Sequence, residues 1–142
     1  MTDNKGLTLI EIIIVLAIIS ILALVAIPGY LGQQTRAARA EAFTNLESLR
    51  LLEEQFFAEN GAYTGNLGAC AADNPANVAA IQVSLPGFQP GTGLNYSYCI
   101  EQDTALAGGA QNPCFRASAF GNTGTRVAGD TFMIDCNNNK DF

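Results

Sequence analysis

Residues Lys5–Pro28 read KGLTLIEIIIVLAIISILALVAIP, and this stretch decides the fold. Between Leu7 and Ile27, 21 residues in all, only Thr8, Glu11 and Ser20 are not apolar, and only Glu11 is charged. A helix of that length reaches across the hydrocarbon core of a bilayer. A secretory signal peptide would have a shorter apolar region followed by a small-residue cleavage site. Here Pro28-Gly29-Tyr30-Leu31 follows instead. A plain membrane anchor leaves Glu11 unexplained. A carboxylate near the middle of a spanning helix costs about 2.5–3.5 kcal/mol on insertion scales and normally marks function. Glu11 therefore calls for a cationic partner.

Outward from that run, the helical signal continues. Gln33 to Glu59 is rich in Ala, Leu, Glu, Arg and Gln, all good helix formers. Phe43, Leu46, Leu49, Leu52 and Phe56 recur at helical spacing and form one apolar stripe, expected to pack against a small domain. Arg39, Glu47, Arg50 and Glu54 fall largely off the stripe, and Arg50 with Glu54 has the spacing of an i, i+4 pair. Glu53-Glu54 reads as part of a solvated face. Pro28 removes a backbone donor, so a kink or weak point is expected near Val25–Gly29. Asn60-Gly61 should end the helix, because both residues tolerate left-handed backbone angles. A helix from Leu7 to Asn60 would be roughly 80 Å long, at about 1.5 Å per residue, far more than a bilayer requires.

Gly6-Leu7-Thr8-Leu9-Ile10-Glu11 resembles the cleavage and methylation motif of type IV prepilins. The resemblance implies that a prepilin peptidase cuts between Gly6 and Leu7 and N-methylates the new terminus on Leu7. Glu11 then stands at the fifth mature position, where that family keeps a glutamate. Pro28 stands at the twenty-second, where it usually has a proline. Phenylalanine is the commonest first mature residue there; leucine also occurs. Cleavage would create a positive α-amino group one helical turn from Glu11. Pairing those charges within a subunit or between neighbours would favour one register in an otherwise greasy contact. A second passage, Phe56-Phe57-Ala58-Glu59-Asn60-Gly61-Ala62-Tyr63-Thr64, resembles the end of the long helix in pilins. Its Tyr63-Thr64-Gly65 departs from the tyrosine–proline run usual in type II secretion pseudopilins.

Gly65–Gly93 holds the turn signals Asn74-Pro75, Pro86-Gly87 and Pro90-Gly91, with a short helix or strand expected within Ala76–Leu85. By resemblance this is the variable surface loop. Alternation then predicts strands at Leu94–Glu101, with Leu94, Tyr96, Tyr98 and Ile100 on one face, at Cys114–Phe120 and at Thr131–Cys136, with Phe132 and Ile134 inward. Glycine-rich turns at Gly108-Gly109 and Gly121–Gly129 separate them. A long helix covered by a small antiparallel meander is an α+β arrangement.

Four cysteines allow three pairings. Strand parity puts Cys99 and Cys114 on one outward face, roughly opposite each other, which leaves Cys70 with Cys136. The alternative joins Cys70 to Cys99 and Cys114 to Cys136. The resemblance supports that alternative, since a disulfide fastens the C-terminal region in many pilins. Both pairings stand at this stage. All four cysteines follow residue 69, which places that part of the chain in an oxidising compartment. Lys5 and Asp3 before the apolar run, against Arg36 and Arg39 after it, give no positive-inside support for a cytoplasmic N-terminus. The cysteines and the resemblance give that orientation.

With 142 residues the chain suits one domain, and its net charge of −6, without a clustered basic patch beyond Arg36 and Arg39, makes it a poor general nucleic-acid binder. The absence of histidine excludes a Ser–His–Asp or Cys–His catalytic arrangement, and without a C-x-x-C pair a zinc site is not expected. No cofactor and no catalytic residue are expected. Asp135, Asn137, Asn139 and Asp141 alternate as in calcium loops, but the central glycine and distal glutamate are missing, so a polar, solvated terminus is the preferred reading.

The division expected is a leader at 1–6, a transmembrane and polymerisation helix at 7–28, and an exported pilin domain at 29–142. That domain comprises helix at 29–60, connecting region at 61–93 and sheet at 94–142. The function implied by the resemblance is that of a homo-oligomeric pilus filament subunit serving adhesion, motility or DNA uptake. It would be handled by prepilin peptidase and an inner-membrane assembly machinery, moving from inner membrane to cell surface. The alternatives are a minor pilin or type II secretion pseudopilin, and a membrane-tethered binding module.

Overall fold

A computed structural model describes residues 6–103 and 114–142. Met1–Lys5 of the expected leader and the expected Gly108-Gly109 turn lie outside the described residues. The elements are α1 (Leu9–Asn60), α2 (Ala76–Ser84), β1 (Tyr96–Asp103), β2 (Cys114–Gly121) and β3 (Thr131–Asp135). The fold is α+β, and the chain divides into two compact units, Met1–Arg36 and Ala37–Phe142.

In the first unit the helical segment carries its apolar side chains outward. Leu9, Leu24 and Val25 are 76–79% exposed. Helix continues without interruption through Pro28, although a proline leaves the Leu24 carbonyl without its usual amide donor. Ser20 and Thr35 donate their hydroxyls back to the carbonyls of Leu16 and Leu31, so these polar side chains are satisfied within the helix.

In the second unit α1 buries Ala42, Leu46, Leu49 and Glu53, a stripe at spacings of four, three and four. Three strands in the order β1-β2-β3, antiparallel throughout, form the covering layer. Large residues on β1 face small ones on β2: Tyr98 is opposite Ala119 and Ile100 is opposite Ala117. All four are fully buried, together with Leu46 and Leu49 from the helix. Burying a side chain of this size contributes about 1.5–3 kcal/mol. Phe43, Leu52 and Phe56, the remainder of the predicted stripe, are partly buried against this core.

β1 begins at Tyr96 rather than Leu94, and just before it the Asn95 side chain donates to Glu41 Oε2 at 2.9 Å. Ala76–Ser84 is helical, packed through Ile81. The β2–β3 connection is close. A Cβ at Gly121 would lie 1.8 Å from the Val127 carbonyl oxygen, so only glycine fits. At Asn60-Gly61 the helix stops as expected, with Gly61 at φ +75° and its amide donating to Phe57 O at 2.8 Å.

The disulfides join Cys70 to Cys99 and Cys114 to Cys136. The parity reading placed Cys99 opposite Cys114 on an outward face; the register corrects it. Cys99 is opposite Ser118 and Cys114 is opposite Asp103, so the two cysteines lie four residues apart along the ladder. Nor is their face open. Cys99, Cys114, Ser97 and Ser118 are all buried. The segment carrying Cys70 lies along β1, where Leu67 and Ile100 exchange backbone hydrogen bonds.

Candidate assembly segment and the clamps of the folded unit

Gly6, Leu7 and Thr8 precede the first helical residue and are exposed. Thr8 caps α1: its Oγ1 accepts the Glu11 amide at 3.3 Å, and its carbonyl accepts the Ile12 amide at 3.3 Å. Thr8-Leu9-Ile10-Glu11 is the threonine-x-x-glutamate pattern of a capping box, a start signal that the reading of the apolar run passed over. It sets the helix start at Leu9, two residues beyond the Gly6–Leu7 bond. Glu11 lies in the first turn, where the helix dipole favours an anion. Among the described residues none of the ion pairs involves Glu11. Pro28 contributes, with Ser20, Ala23, Leu24 and Ile27, to a shallow apolar hollow of about 240 Å³.

In the folded unit several polar side chains fasten loops to the helix. Glu53 is fully buried, and its carboxylate accepts the Thr64 amide at 3.0 Å and the Thr64 hydroxyl. This corrects the reading of Glu53-Glu54 as a solvated face. Burial pushes the Glu53 carboxyl above its ordinary range, against the lowering effect of the two Thr64 bonds. Glu54 accepts the Tyr63 hydroxyl at 3.1 Å, while burial and then the Glu54 charge raise Tyr63 to about 12. Arg50 pairs with Glu47 at 3.3 Å rather than with Glu54, since Glu54 turns toward Tyr63. The motif recognised at Phe56–Thr64 thus works as a clasp that turns the chain back along the helix it has just left.

Arg39 holds Asp130 through two bonds, 2.8 and 3.1 Å, and the Tyr96 hydroxyl donates to the same carboxylate at 3.2 Å. The Arg39 bonds keep the Asp130 carboxyl below the usual aspartate range. Asp73, at φ +59°, accepts the Thr123 amide and hydroxyl at 2.9 and 2.7 Å. That joins the 66–75 segment to the β2–β3 connection.

The C-terminal tail is exposed from Asn137 to Asp141 and folds back onto β3. Asp135 accepts the amides of Asn137 and Asn139 at 2.8 and 2.9 Å and the Asn139 side chain at 2.9 Å. Asp141 accepts the Met133 amide at 2.8 Å. Of the alternating oxygen-bearing residues, Asp135 and Asp141 accept these bonds through their carboxylates, while Asn137 and Asn139 donate. Lys140 bonds Glu47 at 2.6 Å, which holds the Glu47 carboxyl below its ordinary value, and Phe142 stacks on Phe43 at 4.5 Å.

Residues 1–27 match the family described as the prokaryotic N-terminal methylation motif. The chain is 48% identical over 61 residues to the type IV major pilin protein PilA of Myxococcus xanthus, covering 43% of this chain but only 28% of that relative. It is 39% identical over 88 residues to the type IV wide pilus major component PilA4 of Thermus thermophilus, covering 59% of this chain and 67% of the relative. It is 36% identical over 86 residues to the type IV major pilin protein PilE1 of Neisseria gonorrhoeae, covering 61% of this chain and 37% of the relative. No solved structure matches the chain. An apolar N-terminal helix bearing the methylation motif, followed by a helix-backed antiparallel sheet, defines a structural subunit and not an enzyme. The chain belongs to the type IV pilin family.

Proposed function

We propose that the chain is made as a membrane-anchored precursor and becomes a subunit of a type IV pilus filament. The observation that carries this reading is a helical segment of membrane-spanning length whose apolar side chains are uncovered and whose one charge before Arg36 is Glu11 in its first turn. In this reading prepilin peptidase cuts between Gly6 and Leu7, which precede the helix, and N-methylates Leu7. Residues 7–28 hold the precursor in the inner membrane and later bundle at the filament core. Residues 29–142 form the exported domain. Glu11 pairs with an α-amino group, its own or that of a neighbour, since a carboxylate in an apolar bundle is costly alone. Assembly requires the peptidase and an inner-membrane machinery that lifts subunits into a surface filament.

The test is mass spectrometry of the sheared surface fraction of cells. An abundant species beginning at N-methylated Leu7 supports the major-subunit role. A trace of the same species points to a minor pilin or pseudopilin. Protein that retains Met1 and stays wholly in the membrane overturns the filament reading and leaves a tethered module.

A further inference from the structure

The first turn of α1 is set by one side chain. Gly6, Leu7 and Thr8 lie outside the helix, and the first carbonyl to accept a helical bond is that of Thr8, from the Ile12 amide at 3.3 Å. Among the described residues no backbone amide donates to the carbonyl of Gly6 or Leu7. The Glu11 amide is one of the donors that a helix start leaves unmet, and it goes to Thr8 Oγ1 at 3.3 Å. Glu11 stands at the distal position of the capping box, yet among the described residues its carboxylate accepts no hydrogen bond. The side-chain contribution to the start therefore comes from the Thr8 hydroxyl.

The sequence offers a competing start two residues earlier. Leu7 and Leu9 are good helix formers, and the apolar run from Leu7 marks no boundary of its own. Glycine caps helices about as well as threonine does. A cap residue's carbonyl takes the first intrahelical bond. With Gly6 as the cap and Leu7 as the first helical residue, the Gly6 carbonyl would accept the Ile10 amide. The Gly6–Leu7 bond would then open the helix instead of preceding it.

We propose that Thr8 is a positioning residue for the cut between Gly6 and Leu7: its hydroxyl fixes the start of α1 at Leu9 and so keeps the Gly6 carbonyl unbonded in irregular backbone. This rests on the processing reading above and adds to it the group that keeps the bond open. In the cut, water adds at the Gly6 carbonyl carbon and the bond to the Leu7 nitrogen breaks. The products are a Gly6 carboxylate and a Leu7 α-amino group. Proteolysis favours backbone free of hydrogen-bonded structure. A Gly6 carbonyl tied to Ile10 would have to be unwound before water could add.

The test uses the full-length chain in detergent micelles with a purified prepilin peptidase, and mass spectrometry follows release of Met1–Gly6. Thr8→Val keeps the shape and the helix propensity of threonine without the hydroxyl. Thr8→Asn changes the shape and keeps a capping oxygen. Loss of a threonine cap shifts the balance between the two starts by about two- to thirtyfold, so Thr8→Val should slow cleavage at least about twofold. Thr8→Asn and Thr8→Ser should be cut at the parent's rate. A peptidase that reads residue 8 directly rejects Thr8→Asn, and that result overturns the proposal, as does Thr8→Val cut at the parent's rate. Carbon chemical shifts of the uncut chains give the second readout. Leu7 and residue 8 should turn helical in Thr8→Val and stay irregular in the parent and in Thr8→Asn. Slow cleavage without that helical change also refutes the role of Thr8. A parent chain left uncut at Gly6–Leu7 sinks the processing reading and this proposal together, whereas a parent cut normally beside an unaffected Thr8→Val sinks the proposal alone.

Discussion

Replacing Glu53 tests whether a buried carboxylate clasps the end of α1 to the chain that follows. In Glu53→Ala the amide and hydroxyl of Thr64, which is 3% exposed in the parent, lose their acceptor. An orphaned buried donor costs about 1–3 kcal/mol, and the hydroxyl adds about 1, so a loss of about 2–4 kcal/mol is expected. Glu53→Gln keeps an oxygen for the amide and offers its NH₂ to the hydroxyl oxygen, so at neutral pH it should lie within about 1 kcal/mol of the parent. The pH dependence gives the sharper contrast. Burial raises the folded-state pKa of Glu53 above its unfolded value near 4.5. The folded chain therefore holds this proton more tightly than the unfolded chain. The resulting stabilisation is full below the unfolded value and is lost as pH rises through the folded one. The stability difference between parent and Glu53→Gln should thus shrink from acid toward neutral pH. Urea denaturation of the full-length proteins in micelles, run at several pH values, measures it. A difference that grows with pH, or a Glu53→Ala cost under about 0.5 kcal/mol, would refute the clasp.

Three further expectations follow from other sites. Asp130→Asn removes a carboxylate held low by Arg39, so acid unfolding curves of parent and variant should converge as pH falls through the folded-state pKa of Asp130, which lies below 3.8. Gly121→Ala drives a methyl into the Val127 carbonyl and should cost at least about 2 kcal/mol or displace the β2–β3 connection, visible as lost amide protection at Asp130. Glu11→Ala should abolish recovery of the protein in sheared filaments while leaving thermal unfolding of the 37–142 unit unchanged, because Glu11 lies in the separate N-terminal unit.

The amphipathic periods were legible because burial enforces them. Leu46 and Leu49 fall on the buried face of α1, and Tyr96, Tyr98 and Ile100 on the helix-facing side of β1. The methylation motif was legible because it is a fixed local string. Glu53 was misread as part of a charged pair on an open face. Yet it stands four residues beyond Leu49, in line with Ala42 and Leu46, so its position named the buried face even though its chemistry argued otherwise. What satisfies its carboxylate is Thr64, eleven residues on, and a tertiary partner leaves no trace in helical spacing. Parity put the two cysteines on a common face correctly, but that face is buried and not outward, and parity missed their distance along the ladder, because the register of a hairpin is set by the pairing of both strands. The covering of that face by the Cys70 segment is a long-range arrangement of the same kind.

The disulfide connectivity has a consequence for how such a chain matures. The loops closed by Cys70–Cys99 and Cys114–Cys136 follow one another and do not overlap. Of the three ways to pair four cysteines, this is the one in which each thiol meets its next neighbour in order of emergence. A chain anchored near its amino end, with the part after the anchor passing into an oxidising space in order of synthesis, would offer Cys70 and Cys99 before Cys114 appears. A donor that joins thiols as they arrive produces the native bonds directly, and no shuffling between them is required.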